Sequence, residues 1–431
     1  MAHTTPSADH SLPPSQQSRN IFVFSVCTFL HYLAAPVLYV GQTQAVLCRT
    51  LGASPEVSNL PEIAFFVMTI TPVILAWCLP GVAHLKRILM VCYLATGLAL
   101  GLVCLALVSD VSNKLKIAAV ILQGAVSGAA MPTAIALLWE AIGRGVSESR
   151  RGLALGLAFG LGPFLAVGPA LLTQEMFTGK FWGFLAEPLP PPWNFVAVFG
   201  WGAPLMLIAA MISPLVVVPA MDEPTEREPF FRGLWEFLTT PLLAKATLVT
   251  ILLYVGNTVT ANMGLYTEFV LDADPKNYTG YQLATRFFCK GVAGLFLGWV
   301  LAKSNPRAGI LITGLIFVAS QIWALFVPGV AYLFAFGLFG AGELVGVYAP
   351  NYLLSASSPR RLRQNMAYVT MMMLPAAPAG YLFGFIATNA GLGPANNFRL
   401  SFVVCAGILI IGLILAVVLL PKRPIPEAAT E

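Results

Sequence analysis

Apolar runs of about twenty residues, parted by short polar breaks, follow one another along nearly the whole chain, and few folds accommodate that pattern. Such a run crosses the ~30 Å hydrocarbon core of a bilayer as a helix whose backbone groups all pair internally. Only 10% of the 431 residues are charged. A soluble domain carries about 25%, so this chain has too little charge to keep a water-facing surface of its size wet. The runs predict spans near 20–46, 60–82, 87–109, 115–142, 152–174, 194–219, 244–269, 280–302, 308–328, 330–356, 365–388 and 398–420. The expected fold class is therefore an all-α integral membrane protein with twelve transmembrane helices.

The polar ends set the remaining boundaries. Residues 1–19 are Pro- and Ser-rich and lack the apolar stretch of a signal peptide, so they read as a disordered cytoplasmic tail. Residues 421–431 read as a second tail. The seven cysteines form no C-x-x-C pair and no cluster, which gives no expectation of a disulfide framework, a metal site or a cofactor. The net charge of +5 is too small to suggest a nucleic-acid partner.

Where the positive charge falls is more informative. With the N-terminus placed inside, sixteen of the 24 lysines and arginines fall in inner segments, among them Lys86, Arg87, Arg150, Arg151, Arg360 and Arg361. Six fall in outer segments, and Arg286 and Lys290 lie inside a span. That bias predicts a multi-pass protein of the plasma (inner) membrane with both termini cytoplasmic.

The most charged stretch, Asp222 to Glu228, divides the spans six and six. Phe230 to Phe237 after it alternates aromatic and charged residues, as a short interfacial helix does. Residues 20–219 thus form one half, 220–243 a cytoplasmic linker and 244–420 the other half. The halves echo each other. Arg151, Pro163 and Gly168 recur at the same spacing as Arg363, Pro375 and Gly380, each set entering a span in corresponding positions. Internal duplication is the reading this supports.

With six plus six spans, both ends inside and a charged central loop, the chain resembles the major facilitator superfamily over nearly its whole length. Arg150-Arg151-Gly152-Leu153-Ala154-Leu155-Gly156, leading to Gly160-Leu161-Gly162-Pro163, is similar to that family's entry into helix five. Gly81 to Arg87 resembles its loop between helices two and three but lacks the expected Asp, and Lys303 to Arg307 is a fainter echo. The resemblance implies two pseudo-symmetric six-helix halves, with helices seven, eight and ten meeting at one central cavity.

Ionisable groups at membrane depth each need a reason, since one costs about 3 kcal/mol or more. Arg286 and Lys290 stand four apart on one face of the eighth span, and Glu343 lies within Gly340-Ala341-Gly342-Glu343 of the tenth. Two readings stay open: a structural charge cluster, or Glu343 as proton carrier with the surplus positive charge left for an anionic substrate. Span one lines up Ser25, Thr28, His31, Tyr32, Tyr39 and Gln42 on a stripe of about 120°. Span seven repeats this with Tyr254, Asn257, Thr258 and Asn262 on about 140°. Either stripe serves as substrate lining or as helix–helix hydrogen bonding. Gln123 is a weaker candidate, Gln321 is expected to face a neighbouring helix, and Glu62, Glu140 and Glu268 are expected near span ends, within reach of the interface.

No nucleotide-binding loop, metal constellation or nucleophile elbow is present in the sequence, so an enzyme is not expected. The expectation is a secondary active transporter that moves a small solute by alternating access, proton-coupled and acting as a monomer in the lipid bilayer. An organic anion is the favoured substrate, on the strength of Arg286 and Lys290. The alternatives are an exporter of amphipathic compounds, or a lipid-handling or accessory protein of the same fold.

Overall fold

A computed structural model describes residues 12–79, 84–147, 150, 154, 156–179, 187–218, 230–302, 304–356, 365, 368–369 and 371–424. Eight of its helices are long and apolar enough to cross a membrane: Pro55–Cys78, Leu85–Val108, Asn113–Gly145, Trp193–Leu215, Pro241–Val270, Pro306–Phe326, Gly329–Leu353 and Pro394–Leu419. Four further helical stretches complete the twelve expected positions. They are Pro14–Leu33 continuing through Ala35–Leu38 to Gln42–Thr50, a π-helical turn Gly156–Leu161 running into Gly162–Thr178, Thr279–Ala302, and Met371–Ala376 running into Ala377–Asn389. We number these spans one to twelve in chain order.

Several expected features fall outside the described residues. These are the linker charges 222–228, Gly81 of the second loop, Arg151 and Arg363 of the recurring pattern, and Lys303. Phe230–Thr239, just after the linker, is helical and holds Phe231 and Trp235 outward. The tail expected to be disordered over 1–19 is corrected at its end, because the first helix begins at Pro14. Gln17 ties it down, donating to the Leu12 carbonyl at 2.7 Å and accepting from the Ser147 hydroxyl at 3.0 Å.

Each half has its own apolar core. One core draws on residues between Ile21 and Val216; the other runs from Phe237 to Leu420, with Ala45 and Val73 joining it. A small cluster bridges them, made by Tyr32, Ala35, Ala166 and Ala170 against Leu283, Ala284 and Phe287. Around the outside, side chains such as Leu98, Leu105, Met211 and Val418 stay exposed, as lipid-facing residues must. In lipid the helices gain little from apolar contact alone, so close backbone approach carries the packing. Gly124 and Gly128 of span four show it: a side chain at either would run into the carbonyl oxygen of Pro61 or Phe65 in span two.

Spans one, seven and ten are interrupted next to the site and position it. Span one breaks around Pro36 and again at Gly41, whose φ of +144° suits only glycine. The freed Val37 carbonyl accepts from Gln44 at 2.8 Å and from Gln123 at 3.3 Å. Span seven has a 3-10 turn at Val255–Val259, and span ten breaks between Phe334–Gly342 and Val345–Ala356. Spans one and seven, the first helices on either side of the linker, are thus both broken within their length.

One end of the bundle is sealed across the halves. There Gln174 of span five accepts from the Gly280 N–H of span eight at 3.0 Å and donates to the Asn277 carbonyl. Gln42 donates to Gln282, and Asn59 donates to Asn262 at 3.0 Å.

Candidate functional site

Span eight carries Gln282, Arg286 and Lys290 at four-residue spacing, hence on one face. Span ten lies directly against it because Gly340 has no side chain; a Cβ there would overlap the Arg286 carbonyl oxygen. Glu343, at the break of span ten, therefore reaches both cations. Arg286 donates through Nε to Oε2 at 3.0 Å and through Nη2 to Oε1 at 2.5 Å, a two-pronged ion pair, and Lys290 Nζ reaches Oε2 at 3.4 Å.

Aromatic rings from both halves enclose the charges. The Arg286 guanidinium carbon lies 4.9 Å from the Phe339 ring centre and 5.5 Å from that of Tyr39. Lys290 Nζ lies 4.8 Å from the Tyr39 ring centre. Phe287 meets Tyr39 edge-on at 4.7 Å, and Tyr32 stacks on Tyr39 at 6.2 Å. Tyr32 and Tyr39 come from the broken first span and the cations from span eight, so the site lies between the halves. Arg286 is 4% exposed, yet its Nη1 has no hydrogen-bond partner. A buried donor left unpaired costs about 1–3 kcal/mol, more when charged, so this nitrogen is a place where a ligand oxygen would be gained.

The other expected site residues scatter. His31 turns into its own half, its ring centre 5.1 Å from that of Tyr93. Gln123 is wholly buried and spent on span four and the break of span one, accepting from Gln44 at 3.1 Å and donating to Ser127 at 2.9 Å. Tyr254 sits in the core of the second half, and the Thr258 hydroxyl bonds back to the Val255 carbonyl at 2.9 Å. Asn257 is half-buried within the 3-10 turn. Asn262 holds helices together, donating to the Phe383 carbonyl at 2.9 Å and to the Ser401 hydroxyl at 3.0 Å. Gln42 belongs to the sealed end. The helical stripes gave the right elements but not one shared groove, because spans one and seven are both broken and do not keep an ideal 100° per residue.

Glu62 is the residue whose expected position the structure corrects. It was expected near a span end; span two instead begins at Pro55, which sets Glu62 about 10 Å further along its helix. Glu62 is 2% exposed, and its Oε2 has no hydrogen-bond partner. It faces Gly41 so closely that a Cβ there would lie 2.8 Å from Oε1. Across the interface lie the Ala261 N–H, in the first turn after the break in span seven, and the charge of Arg286. Gln282 was also missed, although its four-residue spacing from Arg286 could have disclosed it. Among the described residues, no group of three or more His, Cys, Asp or Glu could hold a metal ion.

Comparison with known proteins agrees with this architecture. Residues 274–431 match the family model of the Major Facilitator Superfamily. No curated protein matches the chain. Among solved structures the chain is similar to a D-xylose-proton symporter, at 13% identity and a TM-score of 0.69, with 94% of this chain and 98% of that one covered. It is similar to the nucleoside transporter NupG at 10% identity and a TM-score of 0.66, covering 93% and 98%. A bacterial homologue of the human lysosomal transporter Spinster, inward-facing and unoccupied, matches at 15% identity and a TM-score of 0.61, covering 96% and 100%. At these identities the likeness is one of fold.

Proposed function

We propose that this chain, a member of the major facilitator superfamily, is a secondary active transporter that carries a small organic anion by alternating access, coupled to protons. One observation carries the substrate class: Arg286 and Lys290 share a single contacting carboxylate, and the inner nitrogen Nη1 of Arg286 is buried without a partner. An anion placed there would neutralise the surplus charge, and the surrounding Tyr39, Tyr32, Phe287 and Phe339 would cover an apolar or flat body. The rest of the reading is consistent with that. The charge bias argues for both termini inside, and on that reading the sealed end is the outer one. A relative in fold is named a proton symporter.

Of the two parts the sequence leaves open to Glu343, proton carrier or structural charge, the second suits it better. Protonating it would leave two neighbouring cations with no contacting counter-charge, so it serves better as their fixed anchor.

Thermal stabilisation of the purified protein tests the reading, using benzoate, neutral benzamide and cationic benzylamine. A ligand at 100 times its dissociation constant stabilises the folded state by about 2.7 kcal/mol, a readable shift. Stabilisation by benzoate alone, lost in Arg286→Gln and Lys290→Gln, is the expected outcome. Stabilisation by long-chain amphiphiles whatever their charge would favour the exporter reading instead.

A further inference from the structure

We infer that Glu62 is the group that carries the proton, and that its carboxylate and the substrate anion compete for the free side of Arg286. This rests on the anion reading above. Two buried groups in the same interface are each short of a partner: Oε2 of Glu62 from the first half and Nη1 of Arg286 from the second. They flank the same short stretch of span one: Glu62 packs on Gly41, and the Arg286 guanidinium carbon lies 5.5 Å from the ring centre of Tyr39, two residues earlier. The carboxylate is one helical turn from the Asn59–Asn262 contact and packs on the Gly41 break, so it stands where the halves must separate.

The surroundings of Glu62 leave it little else to pair with. From span four, Gly124 and Gly128 bring only backbone contacts, and Gln123 and Ser127 bond to each other. Span seven offers the Ala261 N–H, and span one offers Gly41, with Tyr39 turned to the two cations. From span eleven, Tyr381 pairs with Glu56 instead. Among the described residues the charges that reach Glu62 are those of Arg286 and Glu343.

Charge balance then links the two cargoes. With Glu62 ionised, Arg286 and Lys290 are matched by Glu343 and Glu62, and an arriving anion would add an uncompensated negative charge to a low-dielectric site. With Glu62 protonated from solvent, one positive charge is left over and the anion restores neutrality. Proton and anion therefore enter together and leave together, each returned unchanged to solvent on the other side. A single-charged anion crosses with one proton and no net charge.

Binding of benzenesulfonate, which stays ionised throughout the range, is measured from acidic to alkaline pH. In wild-type protein the affinity should fall by about tenfold per pH unit once Glu62 ionises, because each binding event must then supply the proton. Glu62→Gln should bind with an affinity that no longer varies with pH, and tighter than wild type at alkaline pH. Glu62→Asp should restore the slope, which separates loss of the proton from loss of folding. A slope that persists in Glu62→Gln and disappears in His31→Asn overturns the inference, as does a wild-type affinity that is flat with pH. In both cases binding itself still stands, and with it the anion reading. Benzenesulfonate and benzoate binding to neither protein would withdraw the anion reading and this inference together.

Discussion

A guanidinium buried between helices has five N–H donors to place, and Glu343 takes two of those of Arg286. The rest of its surroundings are the faces of Phe339 and Tyr39, which stabilise a cation without consuming its hydrogen bonds. Glu343 is therefore expected to matter for stability before it matters for coupling. Glu343→Gln should destabilise the protein by about 3–5 kcal/mol, since it leaves two buried cations unmatched. Adding Lys290→Gln should recover part of that loss, and melting temperatures of the single and double variants read the coupling directly. Additive losses would mean that Lys290 and Glu343 do not share a charge interaction. Arg286, Lys290 and Glu343 stand out in the sequence, because a charge in an apolar run needs either a partner or a role. The depth of Glu62 does not: the apolar run begins near residue 60, and only the helix start at Pro55 shows that the carboxylate is deep.

At the level of elements, the interruptions do the positioning. Span one cannot run unbroken through Pro36 and Gly41, and the carbonyls this frees at membrane depth need donors from elsewhere. Gln44 and Gln123 both donate to that of Val37, which is why Gln123 is fully buried and unavailable to a substrate. Gln123→Leu should therefore lower thermal stability by about 1–3 kcal/mol while leaving the affinity for benzoate intact. A selective loss of affinity with unchanged melting would return Gln123 to the site. The apolar runs disclosed nearly every helix, since twenty residues without charge state their own environment. The lateral orientation of polar residues within them was harder to read. Even within one unbroken helix, consecutive residues stand about 100° apart, so His31 reaches Tyr93 while Tyr32 beside it reaches Tyr39.

For the molecule as a whole, two cores meet through a thin seam of small and aromatic residues, and hydrogen bonds join them at one end. Gly280 lets span eight close on Ala170 and Gln174 of span five; a larger residue would collide with backbone there. Gly280→Val should wedge that end open. A cysteine introduced at Gln282 should then react with a membrane-impermeant maleimide applied from outside, and labelling as slow as in the Gly280 parent would contradict the assignment of this end as the closed gate. The most direct test of the central claim is exchange of radiolabelled benzoate into proteoliposomes preloaded with unlabelled benzoate. Saturable exchange by the wild type that is abolished by Arg286→Gln, with the variant still folded, is the predicted result. Exchange by Arg286→Gln at the wild-type rate, or wild-type vesicles no faster than empty ones, would contradict it.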